Sequence, residues 1–289
     1  MGTRTYRTRA IATGTVGALI AAVTVALTTA APAEAAVKTV DVRMTANAIT
    51  FSGGGASTAN GVTTLRPGRY HFHVVARGGG HALQLLALRG GYTAEQAQQD
   101  FPLAFEGNVE AVQRIDNGVD FRGGAAARPK HPGDMVVALK AGPLLAVDQA
   151  SPTIAPLNIS GKARTGARAP SSGTYTSFTY GWEVTSDLPA SGRVKFRNQS
   201  DQPHFLVLQR VKESTTNAKV RRFIKSGGEG NPPWVLRGGA ESGVLSPERS
   251  QLFSYDLRPG KYFIACFWPD YFTGEPHVFH GMWKLVTLR

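Results

Sequence analysis

A single cysteine, Cys266, stands in 289 residues, so the chain cannot close an internal disulfide. A lone thiol can be inert in a core, bridge to another chain, or bind a metal, and composition alone leaves all three open. Acidic residues are also few, 20 against 32 Lys and Arg, for a net charge of +12. No cluster of five or more basic residues with interleaved aromatics occurs, which argues against a nucleic-acid partner. Past residue 36 no apolar run is long enough to span a bilayer. Apolar runs are short, while Gly (33) and Pro (17) are plentiful, a balance that favours strands and turns over long helices.

What is present begins with an export signal. Arg4, Arg7 and Arg9 form a basic start, Ala10 to Ala31 is apolar or small, and Ala33-Glu34-Ala35 has the small-x-small form of a cleavage site. Residues 1–36 are therefore expected to be a signal peptide, the protein to be secreted or held in the cell envelope, and no span to remain after cleavage. Losing three Arg and one Glu up to residue 35 takes the charge from +12 to +10. Such a surface attracts anionic partners, either an acidic redox protein or an anionic envelope component, or simply keeps the chain soluble.

Hydrophobic residues make up 42% of the chain, enough for ordinary cores, and the length suits two domains. Residues 149–174 lack hydrophobic periodicity and are rich in Pro, Gly, Ser and basic residues, so they read as a linker between domains at 37–148 and 175–289. The halves look like diverged copies. Leu65 to Phe72, then His81 and an apolar run, parallels Leu188 to Phe196, then His204 and an apolar run. Arg122-Gly-Gly-Ala125 parallels Arg237-Gly-Gly-Ala240. Met135–Leu139 and Leu252–Leu257 each lead through a Gly-Pro or Pro-Gly turn into another strand.

Each half also carries one expected helix, capped by Thr93 (with Gln96 three residues on) and by Ser214. Strands expected at 179–185, 193–198, 204–211, 251–257, 261–267 and 282–288 follow at short spacing. The fold class is all-β: two tandem Greek-key sandwiches, each with a short helical excursion.

The second half supplies His204, Cys266, His277 and Met282 in order. Two imidazoles, a thiolate and a weak thioether are the donor set of a mononuclear copper site. Three motifs carry a resemblance to the plastocyanin-like blue-copper proteins, the cupredoxins. Asn198 lies six residues before His204 and Pro203 directly before it; Gly260-Lys-Tyr262-Phe-Ile-Ala-Cys266 has the form Gly-x-Tyr-x-x-x-Cys; and four residues separate His277 from Met282. The similarity covers 175–289. It implies copper as cofactor, His204, Cys266, His277 and Met282 as ligands, and electron transfer through a partly exposed His277 edge.

Against that stand plainer readings: Cys266 as a small core hydrophobe, His204 as a rim histidine, Met282 as core filling. The sequence also departs from the resembled pattern. Ten residues separate Cys266 from His277; Phe205 stands where the family commonly has Asn; and His280 competes with His277 as ligand. Trp268, Tyr271 and Phe272 in the long loop either form an apolar docking patch or fold inward over the site. Asp270 and Glu275 read as a solvated carboxylate pair.

The first half has no cysteine, so no blue-copper centre is expected there. If they lie on a strand, His71 and His73 share one face, which permits a surface metal site but fits two exposed histidines better. Ala265 and Phe267 flank Cys266, so no histidine relays electrons to a second copper, and no nucleophile triad is visible; the protein is read as no enzyme. Rival readings are a metal-free envelope binding module and a copper capture or delivery protein.

Overall fold

The computed structural model describes residues 37–164, 169–186, 188–228, 230 and 232–289. The expected signal peptide lies outside the described residues. The first half contributes β1 (Lys38–Thr45), β2 (Ala48–Gly53), β3 (Ser57–Ala59), β4 (Val62–Leu65), β5 (Gly68–Ala76), β6 (His81–Leu88), α1 (Ala94–Phe105), α2 (Val109–Gly118), β7 (Val119–Ala127), β8 (Gly133–Leu139), β9 (Gly142–Asp148) and β10 (Ile154–Ile159). The second contributes β11 (Thr174–Phe178), β12 (Gly181–Val184), β13 (Ser191–Asn198), β14 (Val207–Val211), α3 (Asn217–Lys225), β15 (Val235–Glu241), β16 (Ser250–Asp256), β17 (Gly260–Ala265) and β18 (Trp283–Leu288). No helix among the described residues is long and apolar enough to cross a membrane.

Alternation of side chains makes these segments strands. In β5, Tyr70, Phe72, Val74 and Ala76 point into the core while Arg69, His71, His73 and Val75 face outward, as period-two patterning requires. The chain crosses between two layers at β5–β6, β7–β8 and β8–β9, and again at the matching places of the second half. The outer layers are separate, ordered β3-β4-β10-β9-β6-β7 and β15-β14-β17-β18. The other layer is shared. It runs β12-β11-β13-β16-β8-β5-β1-β2, four strands from each half. The halves join where β16 pairs antiparallel with β8, Leu252 opposite Val136 and Phe253 opposite Met135.

The internal repeat is visible in this order. β1 and β11 each pair parallel with a later strand, β5 and β13, and each has a short antiparallel partner outside it, β2 and β12. The turn glycines before β9 and β17, Gly142 and Gly260, share φ of 137° and 138°, a region closed to most side chains.

Three expectations need correction. The segment 149–174 is not all linker: Ile154–Ile159 forms β10, antiparallel to β9 and parallel to β4. Pro152 and Pro156 hide its alternation, which buries Leu157 and Ile159 and leaves Pro156 exposed. The first half has two helices, not one. Asn108 caps α2 by accepting from the Ala111 N–H, and Ala111, Val112 and Ile115 bury one face. Finally α3 is capped by Thr216, two residues after the expected Ser214.

Contact between the halves extends beyond the shared sheet. One core fills the first sandwich, around Phe72, Val74, Leu83 and Leu85. A second joins Phe196, Phe253, Ile264 and Cys266 of the second sandwich to Val112, Ile115 and Phe121 of the first, and a third lies under α3 around Val220, Trp234 and Phe263. Residues 242–246 lie between β7 and His204. Gly243 N–H donates to Gly124 O, Ser246 N–H to Phe121 O, and His204 and Leu245 exchange both backbone bonds. Gln84 closes the same seam, accepting from Val244 N–H and donating to Val244 O. Arg249 of the second half grips Asp120 of the first with two nitrogens, at 3.0 and 2.8 Å.

This seam has no room for a side chain at Gly243, where a Cβ would meet Gly124 N at 2.0 Å. Gly243→Ala should therefore lower unfolding stability by about 1–3 kcal/mol, the usual cost of overpacking. Urea denaturation followed by tryptophan fluorescence measures it; an unchanged midpoint would show that the seam yields freely.

Candidate metal centre

Three separate parts of the second sandwich converge at one end. Asn198, fully buried at the end of β13, fixes the approach to His204. Its Nδ2 donates to Gln202 O and Leu245 O at 2.7 and 2.8 Å, and its Oδ1 accepts from Ser177, Ser200 Oγ and the Ser200 N–H. Cys266 directly follows β17. His277 and Met282 sit on a tight turn, where His280 N–H and Met282 N–H both donate to His277 O and Cys266 N–H donates to Met282 O.

The result is a compact triangle. Cys266 Sγ lies 3.4 Å from His204 Nδ1 and 3.7 Å from His277 Nδ1, and the two nitrogens are 3.0 Å apart. All three residues are 0% exposed. Among the described residues they form the one cluster of metal-ligating side chains whose donor atoms all lie within 4.8 Å of one another. A triangle with these sides has a circumscribed radius of about 2.0 Å, close to metal–imidazole (about 2.0–2.1 Å) and metal–thiolate (about 2.3 Å) bond lengths. Met282 is also 0% exposed and shares the core cluster of Cys266.

Burial governs the protonation of all three. It drives His204 well below its ordinary value, and the neighbouring His277 adds to this. It lowers His277 to about 4, against the pull of Asp270. Both imidazoles are neutral at pH 7. Burial also pushes the Cys266 thiol up to about 12, although the backbone N–H groups of Phe205 and Trp268 aim at its sulfur and oppose the rise. Those two donors are in place although Phe205 lacks a polar side chain, because the backbone supplies the bond.

A hydrogen-bond chain selects the tautomer of His277. Asp270 can only accept, so Gln202 turns its Nε2 toward it (3.0 Å) and its Oε1 toward Tyr271 N–H and His277 Nε2. His277 Nε2–H therefore donates to Gln202 Oε1 at 3.0 Å, leaving the Nδ1 lone pair facing Cys266. Asp270 is the hub rather than a solvated loop carboxylate. Burial works to raise it, but donation from Tyr180, Gln202, Thr273 and Phe272 outweighs that and holds it well below the carboxylate range. Glu275 is the exposed member of the expected pair.

The two candidate histidines are placed differently. His277, not His280, faces the thiol; His280 Nε2 meets Thr273 Oγ1 at 3.0 Å instead. The expected exposed edge of His277 is absent, because Gln202, Asp270 and the Tyr180 ring, 5.7 Å away, cover it.

The ten-residue loop from Phe267 to Pro276 gains support from the first half. Trp268 is 1% exposed and stands edge-on to Phe101, Phe105 and Phe121, at 6.5, 5.8 and 5.1 Å. Its indole N–H donates to Asp116 of α2 at 3.2 Å. Gln113, also of α2, donates to Tyr271 O. Of the three loop aromatics, Trp268 folds inward, Tyr271 is half-buried, and Phe272 is exposed. Neither Gln202 nor the α2 residues were singled out in the sequence; only the burial of a polar side chain beside His204 marks Gln202, and that needs coordinates.

The corresponding place in the first half holds a different pair. Asp148 lies opposite Leu83, two residues past His81, and the β14–β17 register continued by one residue sets Cys266 opposite Leu206, two past His204. Asp148 thus stands where the second half has its thiol. Its Oδ1 accepts from the N–H of Ala82 and Ala150, as the sulfur does from Phe205 and Trp268, and its Oδ2 lies 2.6 Å from His81 Nδ1. Elsewhere, His71 and His73 share the outer face of β5 and both meet Asp134 Oδ1, at 2.6 and 2.9 Å.

The chain matches no protein-family model and no curated protein. Among solved structures it is similar to auracyanin B (20% identity, TM-score 0.26, covering 40% of this chain and 86% of that one). It is similar also to auracyanin A, a "blue" copper protein of Chloroflexus aurantiacus (14%, 0.24, 40% and 100%). A longer match is to Lac15 from a marine microbial metagenome (11%, 0.21, 88% and 66%).

Burial raises Asp116 to about 8, with the Trp268 N–H opposing and Asp270 adding to the rise. A raised carboxyl stabilises the fold fully below its unfolded pKa of about 3.9 and ceases to do so as pH climbs through the folded value. Asp116→Asn keeps an acceptor for Trp268. Relative to this variant, the native chain should lose stability between about pH 4 and about pH 8. Paired urea midpoints at both ends of that window would expose it; parallel curves would show that Asp116 ionises freely.

Proposed function

We propose that this chain is an exported copper protein that carries single electrons and catalyses no reaction itself. One observation carries the reading: a buried thiol and two neutral imidazole nitrogens form a triangle whose centre is one metal–ligand bond from each corner. Soft thiolate with imidazole, in trigonal array, suits copper in both oxidation states. Copper held there would supply one-electron chemistry between Cu(I) and Cu(II).

The residues have distinct tasks in this reading. His204 and His277 offer Nδ1, Cys266 releases its proton and offers Sγ, and Met282 offers a weak axial sulfur. Gln202 keeps the Nε2–H tautomer of His277, and Asp270 keeps Gln202 from flipping. The amides of Phe205 and Trp268 temper the charge of the thiolate. Every one of these groups is held by the sandwich or by α2, so little need move when charge changes. The basic, Arg-led N-terminal segment and the +10 charge of the remainder support work outside the cytoplasm with an anionic partner, a redox protein or an envelope component.

Copper(II) added to purified, metal-free protein should give an intense blue colour at one ion per chain. Cys266→Ser should abolish the colour and leave the fold intact, since the thiol makes no disulfide. Gln202→Leu should weaken copper binding by about 10–100-fold, the usual effect of removing a ligand's hydrogen-bond partner. A colourless mixture, or colour that survives Cys266→Ser, would overturn the assignment.

A further inference from the structure

With His277 0% exposed, a partner cannot touch the ring that the resemblance made the exit. The groups that reach solvent beside it are Tyr180 and His280. Tyr180 stands edge-on to His277 at 5.7 Å and stacks on His280 at 5.0 Å, with 28° between the planes. The backbone makes a second link, since His280 N–H donates to His277 O at 3.0 Å.

His280 opens onto a groove of about 580 Å³ between α3 and the turn leading into β18, lined also by Arg221, Ile224, Lys225, Phe279 and Lys284. Its walls are basic for a reason legible in α3. That helix carries Lys219, Arg221, Arg222 and Lys225 and no acidic residue. Its apolar side packs on the outer layer through Val220, Phe223 and Ile224, beside Trp234 and Phe263, so the cations face outward. Among the described residues, none of Arg221, Arg222, Lys225 and Lys284 has a carboxylate within ion-pair distance; the acids beside the port are Glu275, 3.7 Å from His280, and Asp201, whose charge acts on Tyr180 and His277. Phe279, 38% exposed, adds an apolar contact between the cations and His280.

We infer that this groove is the docking face for an acidic redox protein and that His280 is the contact through which electrons pass. The inference rests on the electron-carrier reading above. Uncompensated cations around an electron port steer an acidic partner and fix its orientation. An anionic polymer would need the charges alone; the concave apolar floor of Ile224 and Phe279, beside the port, fits a folded partner.

The test uses the full mature chain and two charge-reversal triples. Arg221→Glu/Lys225→Glu/Lys284→Glu alters the groove; Lys38→Glu/Arg43→Glu/Lys140→Glu makes the same net change on the first half. With metal-free protein, fluorescent poly-glutamate should bind the parent chain and the control triple alike, and the groove triple at least about tenfold more weakly. With reduced, copper-loaded protein at low salt, oxidation by hexacyanoferrate(III) should slow about tenfold in the groove triple only, while the cationic tris(phenanthroline)cobalt(III) should not slow. His280→Ala should slow both oxidants without changing the colour. Equal loss in both triples, unchanged rates in His280→Ala, or anionic phospholipid vesicles binding through these residues while poly-glutamate is ignored would overturn the inference. Failure of the blue colour would instead defeat the electron-carrier reading, with the poly-glutamate comparison still reporting on the groove.

Discussion

Two imidazole nitrogens 3.0 Å apart in a buried site impose the constraint from which the rest follows. Neither ring can hold a charge there, and both cannot direct an N–H at the other. One solution is to turn each N–H away and leave lone pairs converging with a thiol, which suits a soft cation and little else. His277 follows that solution because Gln202 captures its Nε2–H, and Gln202 can do so because Asp270 accepts only. Among the described residues His204 has no such help: its Nε2 is buried without a partner, and its ring has polar company on the side of the sulfur. The carboxylate, the amide and the two rings form one decision about protons.

That arrangement must survive a long excursion between Cys266 and His277, and the first half is what steadies it. Trp268 anchors the loop in a box of three phenylalanines from the first half, and α2 takes hold of the indole N–H and of Tyr271. Full burial of an aromatic such as Trp268 or Phe121 contributes on the order of 1.5–3 kcal/mol, far more than a solvent-facing loop of Gly, Thr and Glu could supply. The silent copy thus has a structural task, and the length of the loop is matched by the surface it rests on.

Much of the architecture was legible because it is written in local pattern. Strand signals marked β13 and β16, the alternating Met135–Leu139 falls in β8, the Thr93–Gln96 capping box is present in α1, and the repeated Arg-Gly-Gly-Ala motifs fall on β7 and β15. The three residues of the candidate metal centre were legible as an order along the chain. What local pattern could not carry is anything between elements far apart in sequence. The pairing of β8 with β16 depends on two strand edges that look like any others, and β10 was masked by prolines that happen to lie on its exposed side. The burial of His277 depends on Tyr180, which lies ninety-seven positions earlier in the chain. A glutamine that sets a tautomer and a tryptophan that anchors a loop have no spacing signature at all.

The two halves also serve as each other's control. They share the orders β2-β1-β5-β8 and β12-β11-β13-β16, the glycine that opens β9 and β17, and a pair of backbone N–H groups aimed at the residue opposite the position two past the histidine. With a carboxylate in that place, Asp148 and His81 satisfy one another at 2.6 Å. The bond raises the imidazole pKa of His81, against burial. Burial pulls Asp148 upward, yet its bonds from Ala82, His81, Ser151 and Ala150 hold it low. The first site is therefore closed by its own hydrogen-bonded pair. With a thiol in that place no proton can bridge to two neutral rings at once, and the site stays open to a metal. On related strand frames, Asp148 beside His81 makes a self-satisfied polar pair, whereas Cys266 between His204 and His277 makes a candidate metal centre.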